Sequence, residues 1–178
     1  MIVGRSSVEM TKKFESKLQK LLSDEQYYEC IKDMIDSDPV KLMDTFIQHG
    51  SITTLEHCVS VSYKSYKIAK RFHMDYKAAA RAGLIHDMFL YDWHLQPKGD
   101  SFLQKHGFTH PQRALENAMK HFTLSEREKD IISKHMWPLT LRKVPKYKES
   151  FVVSFVDKYI ACKETVSPYL QKISDYLL

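Results

Sequence analysis

The sequence predicts an all-α protein, a single compact helical domain, and three observations carry that prediction. Glycine and proline are scarce, at 5 and 6 residues, while Lys, Glu, Leu and Ala, which lose little freedom in a helix, are plentiful. Apolar residues recur at spacings of three and four rather than two. Finally, 178 residues that are 43% hydrophobic can bury roughly two-thirds of their unfolded surface in one core, and no second core is expected.

Residues 1–48 read as amphipathic helices packing on the core, with Phe14, Leu18, Leu21 and Leu22 spaced along one face. Asp38-Pro39 fits an N-cap followed by proline at the first helical position, predicting a helix through Ile47 that His49-Gly50-Ser51 ends. Thr53 and Glu56 have capping-box spacing, so the next helix starts there and runs to about Arg71, with His57 in its first turn. Asp75 caps another, in which Ala79, Ala82, His86 and Phe89 share a face, pointing His86 inward. Residues 91–109 hold Pro97, Gly99 and Gly107 and read as a long ordered loop. Pro111 makes His110 the expected N-cap of a helix whose core face is Ala114, Leu115, Ala118, Met119 and Phe122. Ser125 and Glu128 form a second capping box, opening a helix that carries Ile131, Ile132 and His135 until Trp137-Pro138 stops it. Residues 149–164 form an apolar helix in which Val153, Val156, Asp157 and Ile160 lie together, and 166–178 read as a C-terminal helix.

The totals exclude several function classes. No window approaches the roughly 20 apolar residues of a membrane helix and the first residues lack a signal-peptide run, so a cytoplasmic protein without membrane contact is expected. Cys30, Cys58 and Cys162 share no C-x-x-C spacing; they are read as small buried thiols, neither disulfides nor a zinc site. A net charge of +5 suits a small anionic substrate but is too weak a surplus to argue for a nucleic-acid polymer. The protein is expected to be a monomer or homodimer. Signatures of P-loop, dinucleotide-binding and HExxH proteins are absent, as are the Glu-x-x-His pairs of ferritin-like di-iron bundles.

The 9 histidines are the informative feature. A lone His-Asp dipeptide arises readily by chance, but here order and placement add weight. His57, the pair His86-Asp87, His110, His135 and Asp157 follow one another at separations of 29, 23, 25 and 22 residues, each on a different predicted helix or helix start. A carboxylate among the apolar neighbours of Asp157 has to be salt-bridged, protonated or bound to metal. The competing reading, six core residues satisfied by hydrogen bonds, is a good default for one histidine and a strained one for four with two aspartates.

This order resembles the HD-domain superfamily of metal-dependent phosphohydrolases, whose helices carry His, then His-Asp, then a distant Asp; the likeness covers about residues 50–165, within a core of 49–165. Members with two metals add two histidines between the pair and the last Asp, and His110 in HGFTHPQRALENA and His135 in IISKHMWPL match those places. The resemblance implies that His57, His86, Asp87 and Asp157 hold one divalent ion, with Asp87 bridging to a second held by His110 and His135. Imidazole and carboxylate donors without thiolate suit Fe or Mn, with Zn and Mg as further candidates. Two such ions with four neutral imidazoles, two carboxylates and a hydroxide leave one positive charge, attractive to phosphate, and the hydroxide would be the nucleophile.

Other roles stay open. Asp92 is a candidate acid, or a group supporting the ligands, or a solvated loop carboxylate; the family's usual acidic pair behind His-Asp is replaced by MFLYDW, which argues against nucleotide-specific subfamilies. Candidate phosphate-binding cations are Arg81, Lys105, Arg113, Lys134 and Lys158, the last directly after a ligand, while His106 and Trp137 are candidates to line the pocket. His49, His73, His94 and His121 are read as surface or helix-end residues. The alternative function is a di-iron oxygenase of the same fold acting on a small organic substrate, which an identical ligand set would serve.

Overall fold

The computed structural model describes residues 11–92 and 106–177, the side chains of 106–107 and 167–177 excepted. Among the described residues the chain is all-α: α1 (Lys12–Leu22), α2 (Glu25–Ile35), α3 (Asp38–Leu42), α4 (Thr54–Arg71), α5 (Tyr76–Ile85), α6 (His106–His121), α7 (Glu126–Lys134) and α8 (Lys148–Leu177), with one small antiparallel hairpin of β1 (Ile47–His49) and β2 (Ile52–Thr53). No helix among them is long and apolar enough to cross a membrane.

Local signals explain most helix starts. Thr53 accepts a hydrogen bond from the Glu56 backbone N–H at α4, although the Glu56 carboxylate turns to Lys17 instead of closing the box. Asp75 accepts one from Ala78 at α5, and at α7 both halves of the Ser125–Glu128 capping box are made, satisfying backbone donors that have no partner inside a helix.

α4 and α5 form the centre, flanked by α2, α7 and α8. Gly83 is required there: a Cβ on it would lie 2.9 Å from the Ser62 Cα. Ser62 uses the same closeness, donating to the Ala80 carbonyl while accepting from Tyr27.

The structure departs from the sequence reading in several places, and α5 stops at Ile85, short of Phe89. The helix expected to run through Ile47 ends at Leu42; Asp38 is its first residue and Ser37 its N-cap. After a 3-10 turn at Met43–Thr45 the chain becomes extended and folds back at Gly50, whose φ is +58°, a left-handed conformation that costs glycine little. Thr54 N–H at the start of α4 donates to the Phe46 carbonyl just before the hairpin, and Thr53 Oγ1 ties β2 to the 3-10 turn by donating to Asp44 at 2.7 Å. α6 begins at His106, so His110 is inside a helix rather than at its N-cap, with Pro111 following it. Burial of His110, Ala114 and Ala118 on one face outweighs the local bias of a residue before proline. Met119, expected in that face, is 53% exposed. Cys30 and Cys58 are buried, but Cys162 is exposed. Finally, the helix over 149–164 continues without interruption into the stretch read as a separate C-terminal helix.

Candidate metal centre

Three helices and two helix ends bring the six sequence candidates together. His57 comes from the first turn of α4, His86 and Asp87 from the end of α5, His110 from α6, His135 from the end of α7 and Asp157 from α8. All six are buried. Their donor atoms fall into overlapping trios, among them His57 with His86 and Asp87, His86 with His135 and Asp157, and Asp87 with His110 and His135, each within 4.8 Å.

The ring orientations follow from helix termini. His86 and His135 are the C-cap residues of α5 and α7, where the last carbonyls have no intrahelical partner. Each ring folds back on the carbonyl three residues earlier, His86 Nδ1 on Gly83 at 2.9 Å and His135 Nδ1 on Ile132 at 2.8 Å. A carbonyl only accepts, so Nδ1 carries a proton and Nε2 faces the cluster, with a lone pair to offer whenever the ring is neutral. In His57 the same part is played by Glu164, whose Oε2 is 2.8 Å from Nδ1, while Nε2 faces Asp157 Oδ1 at 3.1 Å.

At the centre is Asp87. Its Oδ1 lies 3.2 Å from His110 Nε2 and 3.4 Å from His135 Nε2; its Oδ2 is 3.4 Å from His86 Nε2 and accepts from Gln48 Nε2 at 2.7 Å. His110 and His135 bring their Nε2 atoms to 2.8 Å of each other, and His86 Nε2 is 3.6 Å from Asp157 Oδ1. Donors sharing one ion through bonds of about 2.1 Å lie about 3 Å apart at a right angle and about 3.4 Å at a tetrahedral one. The observed separations, from 2.8 to 3.6 Å, straddle that range, and His86 Nε2 and Asp87 Oδ1 are buried without a hydrogen bond among the described residues. Unsatisfied buried polar atoms are rare and call for an explanation; a metal ion fits this donor set.

Electrostatics point the same way. Burial opposes charge on Asp87 and Asp157, yet the surrounding imidazoles hold both carboxyls well below the usual range. Against its own burial, His57 is pulled up to about 10 by Asp157 and Glu164, and His86 is raised by Asp87. His135 goes the other way, lowered by burial. Imidazolium protons on His57 and His86 thus stand where a cation would otherwise balance two buried carboxylates.

The remaining candidates are placed as follows. Lys158 donates to the His135 carbonyl at 2.7 Å and to Ser154, with Asp157 Oδ2 at 3.6 Å, and burial pushes its ammonium down. Trp137 packs its ring edge-on against Phe151 of α8 at 5.1 Å. The Arg113 guanidinium lies 5.1 Å over the Tyr91 ring, and Asp92, which follows Tyr91 in the chain, is half-buried. Arg81 is taken up by Asp33 and Glu128, and Lys134 by Asp130, so neither is a spare cation. Lys105 and His94, and the side chain of His106, lie outside the described residues, while His73 and His121 are exposed as expected.

Sequence reasoning missed three neighbours. His49, read as a helix-end residue, sits half-buried with its ring 5.6 Å from that of His57. Gln48 carried no sequence signal, because the hairpin that delivers it was unforeseen. Glu164 had one: it follows Asp157 by seven residues, two turns along the same face of α8. Comparison of the chain with protein-family models, with curated proteins and with solved structures returns no match.

Proposed function

We propose that this chain is a metal-dependent phosphohydrolase of the HD-domain type, hydrolysing a small phosphate ester, with nucleotides among the candidates. The observation that supports it is the sharing of Asp87 between two adjacent donor sets, with His57, His86 and Asp157 on one side and His110 and His135 on the other. Divalent ions held there, Fe or Mn in the first instance, supply Lewis acidity toward a phosphoryl oxygen and a water whose pKa falls toward ~7.

The chain's own contributions are positional. Asp87 and Asp157 carry the negative charge that retains cations. The Gly83 and Ile132 carbonyls and Glu164 hold three imidazoles with Nε2 inward, and Gln48 steadies the outer oxygen of Asp87. Lys158, committed to the His135 carbonyl, fixes the end of α7 against α8 and keeps a positive charge beside the cluster. Glu164 cancels the single positive charge reckoned from the six ligands alone, so attraction of a phosphate relies on cations such as Lys158 and Arg113. Asp92 is the candidate to protonate the leaving group.

The test is elemental analysis of the purified protein followed by turnover of an aryl phosphate with added Mn, Fe, Mg or Zn. About two metals per chain with metal-dependent phosphate release is the expected result. Iron without phosphate release turns the reading to oxygen chemistry, and a protein that neither binds metal nor responds to it overturns both.

A further inference from the structure

The His57 ring separates two environments. Its Nε2 faces Asp157 and the cluster, whereas its Nδ1 faces Glu164, which with His49 forms one wall of a groove of about 540 Å³. α1, the hairpin, α4 and α8 supply the rest. Leu21, Tyr63 and Ile160 give the groove apolar surface, and Lys13, Lys17, Lys64 and Lys163 stand around it.

Charge in the groove is not balanced. Of its two carboxylates, Glu56 lies 3.5 Å from Lys17 Nζ and Glu164 is held by His57 at 2.8 Å. Lys17 also donates to Ser60 Oγ at 2.9 Å. The Lys64 ammonium rests 4.4 Å above the Tyr159 ring, and among the described residues Lys13, Lys64 and Lys163 enter no ion pair. Concavities of this volume, with apolar walls and a few convergent polar groups, are those that take small molecules. A bare inorganic anion would leave the apolar wall uncovered, and a neutral ligand would leave three ammonium groups unmatched.

We propose that this groove, separate from the imidazole–carboxylate cluster, binds a small amphipathic anion: a phosphate, sulfonate or carboxylate carried on an aromatic or short aliphatic body. Because Glu164 belongs both to the groove wall and to the support of His57, ligand in the groove abuts the cluster. That consequence rests on the metal reading above, whereas binding itself does not.

Fluorescence titration of the full chain with anilinonaphthalene sulfonate, with phenyl phosphate as competitor, tests the proposal in metal-stripped protein, where the ester is not turned over. The expected result is saturable binding that phenyl phosphate displaces and that weakens as added salt screens the lysines. Replacing Lys64→Glu, half-buried, and Lys163→Glu, exposed, together should weaken binding by about tenfold or more, with helix content and metal content unchanged. Wild-type affinity in that variant overturns the assignment. A measurement on the unaltered protein keeps the test independent of the variant: amide hydrogen exchange with saturating phenyl phosphate should slow across 51–64 and 160–164. Slowing confined to the segments around His110 and His135 would put the anion at the cluster and overturn the groove. Failure of the phosphohydrolase reading, seen as absent metal or turnover, leaves these outcomes unaffected.

Discussion

Two sets of buried carboxylates, apart from Asp44 in the turn before the hairpin, are satisfied differently by the chain. Glu128 accepts from Arg81 Nε at 2.6 Å and from the Ser125 backbone N–H at 2.7 Å. Asp130 is paired with Lys134 and accepts from the Lys146 N–H and the Ser150 hydroxyl; Glu149 accepts from the Asp75 N–H and from Arg127. Each has a permanent cation and at least one further donor, which is what a buried charge requires. Asp87 and Asp157 are surrounded by imidazoles instead; among the described residues Asp87 Oδ1 makes no hydrogen bond, and the permanent cation beside them is Lys158, 3.6 Å from the outer oxygen of Asp157. The first set is complete as folded. The second draws its counter-charge from an exchangeable source, a proton or a metal ion.

The sharpest way to break this contrast is to remove one member of each set. Asp87→Ala should abolish metal retention and turnover while leaving helix content intact, as read by elemental analysis, aryl phosphate assay and circular dichroism; full activity in a metal-free Asp87→Ala protein would sink the mechanism. Asp130→Ala should do the converse, costing about 2–3 kcal/mol of unfolding free energy because Lys134, Lys146 N–H and Ser150 lose their acceptor, with metal content per chain unchanged. Metal loss in Asp130→Ala without loss of stability would erase the distinction.

Smaller effects sharpen it. Glu164→Gln keeps the shape but not the charge of the group on His57 Nδ1, and partners of this kind are worth about 10–100-fold in metal affinity; titration with Mn should show weakening in that range, and none at all would mean that Glu164 does not support His57. pH should act in a defined direction. In the metal-free protein His57 keeps its imidazolium up to about 10, so an ion has to displace the Nε2 proton, and protons compete with metal. Apparent Mn affinity should therefore rise from about pH 6 to about pH 8. A flat profile would mean that His57 is not displaced and is no ligand.

Much of the fold was legible because its signals are local. Thr53, Asp75 and Ser125 are N-caps whose side chains reach a backbone N–H three residues on, and such bonds depend on nothing beyond the turn that makes them. The hairpin at 47–53 was not legible: its strands are three and two residues long, and they persist through bonds to Asp44, Phe46 and α4 that no short window contains. The start of α6 before Pro111 was hidden for a related reason, since the burial of His110 against the cluster overrides the local bias.

The sequence by itself determined that four histidines and two aspartates would lie on the inner faces or ends of different helices, because helical periodicity places a side chain on a face without reference to anything distant. Only the tertiary structure decided how they meet. Ring orientation depends on which carbonyl or carboxylate takes the Nδ1 proton. The support of Asp87 by Gln48 and of His57 by Glu164 joins residues 39 and 107 apart in the chain, and the basic groove exists only where α1, the hairpin, α4 and α8 converge. Contacts at such separations are set by packing of whole elements, and that packing is invisible to any periodicity.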